Sequence, residues 1–239
     1  MVSSSGGWTE GKSEAGAWSM KHLHKLIVTS RVYRMASTPD ENNLLTDPDN
    51  LWLWRMSLRR MEAEVVRDCV LFAAGELDSK LGGPDLPGGE GMASRRRSIY
   101  FHHSPSSQMD FLKVFDGADP TEAYQRHTSI VPHQALALFN SELTLVHSRL
   151  LTRKLAAAHA DATRFVQAAY EQVLSRSPAG NEVELCLGFL KAQEEAFQKN
   201  PSTIKNTTDG FLPSPNSHIR AREKLVHALF NHHEFVTIR

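Results

Sequence analysis

Recognisable chemistry is what this sequence has least of. Its two cysteines, Cys69 and Cys186, stand far apart, and no Cys-x-x-Cys occurs, which excludes a zinc knuckle and an iron–sulfur run. Without a Cys-x-x-Cys-His, no haem can be attached covalently within the chain. A Gly-x-Ser-x-Gly elbow, a phosphate-binding loop and the glycine set of a dinucleotide fold are also missing. Neither sign of charge is in surplus: 27 Lys and Arg face 27 Asp and Glu, a formal net charge of zero. That balance argues against a nucleic acid or an anionic membrane as the main partner. No window reaches the roughly 18 apolar residues of a membrane span. Met1 to Gly16 is Ser/Gly-rich and polar, lacks the apolar stretch of a signal peptide, and reads as a disordered or truncated end.

What is present is a core and a helical pattern. Apolar residues make up 41% of 239, enough for a sizeable core. The expectation is an all-α, irregular multi-helix domain over residues 17–239, with about six to eight helices and long loops. Ser19 caps a helix to about Arg34, with Met20, Leu23, Ile27 and Val28 on one side. A second helix runs from about Leu51 or Ser57 to Leu81. Its stripe of Leu58, Met61, Val65, Cys69 and Phe72 reads as buried, and Gly82-Gly83-Pro84 stops it. Flexible loops are expected near 82–94 and 199–217. Ser98 to Phe101 is the one strand-like stretch and reads as an extended segment laid on helices. A short helix covers Gln108 to Phe115. Pro132, Ser141 and Asp161 open three more helices, and two others cover about Glu182 to Gln198 and Ile219 to His232.

Candidate chemistry is thin. The cysteines read as small buried hydrophobes, with a disulfide left open; neither has a neighbouring His that would make it a nucleophile. Twelve histidines include the pairs His22/His24, His102/His103 and His232/His233. None has the i,i+4 spacing of a helical metal pair, so no metal site is expected. Carboxylates such as Glu64, Asp68, Asp116 and Asp119 could face each other across a cleft, yet any helical protein offers as many. Arg95, Arg96 and Arg97 read either as a grip for an anion or as solvated charge. The best polar cluster is Arg59, Arg60, Glu64, Arg67 and Asp68 on one helix, of which Arg60, Glu64, Arg67 and Asp68 share a face suited to i,i+4 pairing. It is the candidate binding site.

Six ordered motifs carry a family resemblance. They are Trp18 to Arg34, Arg59 to Asp68 (R-R-x-E-A-E-x-x-R-D), Arg96 to Tyr100 (R-R-S-x-Y), Phe115 to Arg126 (F-D-x-A-D-P-T-E-x-Y-x-R), Val131 to Leu136 and Ala228 to Phe235. Together they resemble the planctomycete-specific domain of unknown function at the C-terminal end of large bacterial proteins, many of which begin with a c-type cytochrome domain. His133, His232 and His233 depart from that pattern. The resemblance implies an extracytoplasmic parent, with haem c elsewhere in that parent and none in this chain. Its partners would be other domains of the parent or cell-envelope proteins, with a glycan as an open ligand class. It implies no catalytic residues. The resulting reading is a helical module for assembly or ligand binding; the alternative is an enzyme domain acting on polysaccharide or in haem-linked electron transfer.

Overall fold

The structure, a computed structural model, describes residues 19–122, 126, 129, 132–200 and 212–238. The N-terminal end before residue 17, Trp18 and most of the 199–217 loop lie outside them. Nine helices occur among the described residues, seven of them at least seven residues long. No helix among them is long and apolar enough to cross a membrane. The chain divides into two units, Met1–Arg59 with Ile238–Arg239, and Arg60–Thr237.

In the first unit, α1 (Met20–Thr29) starts where Ser19 Oγ accepts from the His22 amide at 3.3 Å. α2 (Glu41–Thr46) starts at Asp40, which accepts from the Asn43 amide. Neither helix buries a residue. The unit is tied instead by a polar knot. The Asp47 carboxylate accepts from the amides of Leu51 and Trp52 at 2.9 and 2.8 Å, and Trp54 Nε1 donates to the Asp47 carbonyl at 2.9 Å. Asn50 has φ +55° and Leu53 +54°, backbone values that no helix contains. These values bar the helix expected from Leu51, and a start at Ser57 is not seen either: β1 (Arg59–Arg60) intervenes and the next helix begins at Ala63.

In the second unit the next helix is α3 (Ala63–Ala73), preceded by β1 (Arg59–Arg60). It ends at Gly75, with φ +68°; the Gly75 amide donates to Phe72 O and the Glu76 amide to Leu71 O, both at 2.8 Å. That is a left-handed helix cap, and it stops the helix well before the expected Leu81. The buried face of α3 is also not the expected one. Ala63, Val66, Arg67, Val70 and Leu71 are buried, whereas Val65 is 40% and Phe72 69% exposed. Two apolar stripes run along this helix, and a charged residue, Arg67, sits on the one that faces inward.

After α3 come α4 (Asp110–Val114), α5 (Pro132–Asn140), α6 (Glu142–Ala158), α7 (Ala162–Leu174), α8 (Gly180–Lys199) and α9 (Ser217–Phe230). Ser141 and Asp161 accept from the amides of Thr144 and Arg164, as their cap positions require. α9 packs against α6 and α8, and it buries Leu225, Val226, Leu229 and Phe230. The centre of the bundle is thus α9. α3 packs on α4 and α6, and the carbonyls at its C-terminal end accept from Gln172 and Lys154 of α7 and α6. Arg176 grips Glu182 and Glu234 at 2.6–3.1 Å, binding the start of α8 to the chain after α9. β2 (Thr237–Ile238) pairs with β1, the one sheet among the described residues. Both cysteines are free.

α9 also buries His227, whose Nε2 donates to the Phe139 carbonyl at 3.0 Å. Burial, then the nearby Lys224 charge, push its pKa down to about 4. Burial likewise lowers His147. An unfolded chain binds these protons from about pH 6.5 downward, the folded one only near pH 4 for His227. Their stabilising effect is therefore complete above pH 6.5 and lost as pH falls towards 4. Unfolding in urea should show stability about 2 kcal/mol lower at pH 5 than at pH 7.5 from His227 alone. Burial raises the Glu223 carboxyl and opposes this trend above its ordinary range. His227→Gln, which keeps a donor for Phe139, should flatten the profile; an unchanged slope would place the effect elsewhere.

Candidate functional site

The outward stripe of α3 forms one wall of a cleft of about 920 Å³. Val65, Asp68, Cys69 and Phe72 lie on that wall. Arg97, Ser98, Ile99 and Phe101 form a second, and Met109, Leu112 and Lys113, with Asp116 to Asp119, a third. The segment 98–101, expected to be extended, is a 3-10 turn over Ser98–Tyr100, after which Phe101 makes a single bridge to Leu86.

Arg67 builds the second wall from behind. Its side chain is fully buried. Nε donates to Gly91 O at 3.0 Å, and Nη2 donates to Gly91 O at 2.7 Å and Ser94 O at 2.5 Å. Nη1 donates to Arg96 O at 2.8 Å, and the guanidinium lies 4.8 Å from the Phe101 ring centre. A planar fork of five N–H donors can tie this many carbonyls at once. Burial lowers its pKa to about 10, while Asp68 opposes the shift, so it stays charged at neutral pH. Beside it, Asp68 Oδ1 accepts from the amide and hydroxyl of Ser98 at 2.8 and 2.7 Å. The start of the Gly/Pro-rich stretch 82–94 is held by the neighbours of Ser98: Arg96 stacks on Tyr100 at 4.0 Å and donates to Gly82 O, and the Gly82 amide donates to the Tyr100 hydroxyl.

The third wall turns at Asp116, with φ +58°. The Gly117 amide closes α4 by donating to Leu112 O at 2.7 Å, and a Cβ on Gly117 would sit 2.8 Å from that oxygen. Asp116 accepts from the Ser129 amide and hydroxyl at 2.8 and 2.7 Å, and from Gln134 Nε2 at 3.1 Å. Arg60 donates to the Gln134 side chain and to Ser129 O. Burial acts to raise the Asp116 carboxyl, but these donors and the Arg60 charge outweigh it and lower the pKa. Glu64 behaves alike. Burial acts upward, and two hydrogen bonds from Arg126, at 2.7 and 3.2 Å, bring it below the usual range. The Cys69 thiol is raised by burial and then by the Asp68 charge, so it is neutral at pH 7.

The five residues of the predicted cluster are therefore not one charged face. Arg60 precedes α3 and reaches Gln134, and Arg67 points into the core. Glu64 and Asp68 border the cleft, each with a partner far along the chain. Arg59 is exposed on β1. The expected i,i+4 pairs do not form, because Arg60 is not helical and Arg67 is occupied by carbonyls. Sequence reasoning missed Val65, Cys69 and Phe72 as cleft residues because an apolar stripe was read as core. It also missed Arg126, although the motif holding it was recognised. Of the arginine run, Arg95 pairs with Glu76, Arg96 stacks, and Arg97 faces the cleft. Among the described residues, no three His, Cys, Asp or Glu converge to hold a metal ion.

Residues of four separate motifs thus meet at one place: Arg60, Glu64, Arg67 and Asp68; Arg96 to Tyr100; Asp116 and Arg126; and Gln134. Residues 13–190 match the model of PSD1, a protein of unknown function (DUF1553). The chain belongs to this family. The match takes in these four motifs and ends before the closing motif at Ala228 to Phe235. No curated protein and no solved structure matches the chain. Family membership brings no assigned activity, so the cleft geometry is the main guide to function.

Proposed function

We propose that this family member is a helical binding module and that its α3 cleft holds a small organic ligand. The observation that carries the reading is the cleft itself. A volume of about 920 Å³ suits a ligand of tens of atoms. Its walls combine exposed apolar side chains with polar groups held by Arg67, Asp116 and Arg126. Binding is favoured over catalysis by the same electrostatics. Glu64 and Asp116 are both shifted downward, away from the range of a general acid at neutral pH, and the Cys69 thiol is shifted away from the nucleophilic thiolate.

The resemblance noted in the sequence supports the wider setting: an extracytoplasmic planctomycete parent, other domains of that parent as partners, and haem c carried outside this chain. A thermal-shift screen over glycans, sulfated glycans, organic acids and divalent metals tests the reading. A ligand at a hundredfold excess over its Kd should stabilise the wild type by about 2.7 kcal/mol. Val65→Trp, which fills the cleft from α3, should abolish that shift. Hits that stabilise both proteins equally would place binding elsewhere and sink the proposal.

A further inference from the structure

Most carboxylates around the cleft are held within the protein, as is Arg126, whereas two cleft cations, Arg97 and Lys113, are held weakly or not at all. Both oxygens of Glu64 accept from Arg126. Asp68 accepts from Ser98, and Asp116 from Ser129 and Gln134. Asp119 accepts from the amides of Thr121 and Glu122 and from the Thr121 hydroxyl. Glu62 is the exception; it stands 3.8 Å from Arg126. On the cation side, the one ionic contact of Arg97 among the described residues is from Nε, at 3.8 Å from Asp68 Oδ2, and its side chain is 47% exposed. Lys113 lines the third wall, is exposed, and has no protein partner among the described residues. The same cleft carries apolar surface: Val65, Phe72 and Ile99 line it and are exposed by 40, 69 and 71%.

We propose that the cleft recognises an oxyanion carried on an apolar ring or chain, with Arg97 and Lys113 as the anion-binding residues and Val65, Phe72 and Ile99 as the seat of the apolar body. This rests on the cleft being the binding site. Carboxylates held beside a cation repel an incoming anion less than free ones: Arg126 holds Glu64, Arg67 stands 3.4 Å from Asp68, and the Arg60 charge acts on Asp116. The terminal nitrogens of Arg97 offer the paired N–H geometry that carboxylate and phosphate accept. A ligand hydroxyl, by contrast, would find most of the acceptors in the cleft occupied.

Two fluorescent probes of similar shape separate charge from apolar contact: anilinonaphthalene sulfonate, an anion, and phenylnaphthylamine, which is neutral. Both should bind saturably, and Val65→Trp should abolish both. The double variant Arg97→Gln, Lys113→Gln should weaken the sulfonate about tenfold, as expected for losing hydrogen bonds to a charged group, and leave the neutral probe unchanged. Naphthoate or naphthyl phosphate should displace the sulfonate, and their order ranks the two oxyanions; displacement by neither would overturn the proposal. Lack of saturable sulfonate binding, no weakening by the double variant, or equal weakening of both probes would also overturn it. In the last two cases the cleft remains a binding site. If Val65→Trp leaves both probes bound, the cleft reading fails together with the anion assignment. Both substituted cations are exposed, so the double variant should fold, and the neutral probe reports directly whether it has.

Discussion

Val66→Asp should unfold the second unit or lower its stability by roughly 4–5 kcal/mol, while Val65→Asp, one residue away, should change it by less than about 1 kcal/mol. Val66 is completely buried against the core. A carboxylate there loses its hydration and finds no cation, since Arg67 is already held by carbonyls of the 91–96 segment. Val65 is 40% exposed on the cleft wall, so a carboxylate at that position keeps its water. Urea unfolding of both variants decides the matter. Equal destabilisation would mean that α3 is rotated from the orientation described, and the cleft would lose its first wall.

Arg67→Met should be almost as damaging. The substitution keeps the length and apolar stem of the side chain but removes every donor to Gly91, Ser94 and Arg96. Removing one partner from a buried charged network costs roughly 3–5 kcal/mol. For a unit of this size that corresponds to a fall of about 10 °C in melting temperature. Arg67→Lys should not restore it, because one ammonium cannot reach carbonyls that the flat guanidinium serves from both edges. Amide exchange should rise across residues 91–98 in both variants, since their tie to α3 is gone. A melting temperature within about 2 °C of the wild type would show that the segment is held by something else. The same variants should weaken any cleft ligand, because Arg97 and Ser98 stand on the wall that Arg67 anchors.

Several elements were legible because their causes are local. Ser19, Ser141 and Asp161 each meet an amide three residues on, and a side chain that short reads the same backbone whatever the fold. The α4 stop at Asp116-Gly117 is equally local. The Gly75 stop is local too, although Gly82-Gly83-Pro84 is the more conspicuous signal in the sequence. Charge pairing on α3 was misread for a different reason. Spacing alone suggests i,i+4 partners, but a longer-range partner wins when it offers several hydrogen bonds in a partly dry site. Arg67 reaches carbonyls 24 to 29 residues away, and Glu64 meets Arg126 across 62.

What the amino-acid sequence determined by itself was the helical class, most helix starts, the absence of familiar catalytic and metal motifs, and the set of motifs that mark the family. Each follows from residue type and short spacing. Which stripe of α3 turns inward was decided only by the tertiary structure. Periodicity defines the faces of a helix but not the surface each will meet, and both stripes here are apolar. A buried arginine looks polar in sequence and becomes a core residue only when distant carbonyls surround it. The cleft has the same origin: its three walls come from segments far apart along the chain, and no local rule brings them together.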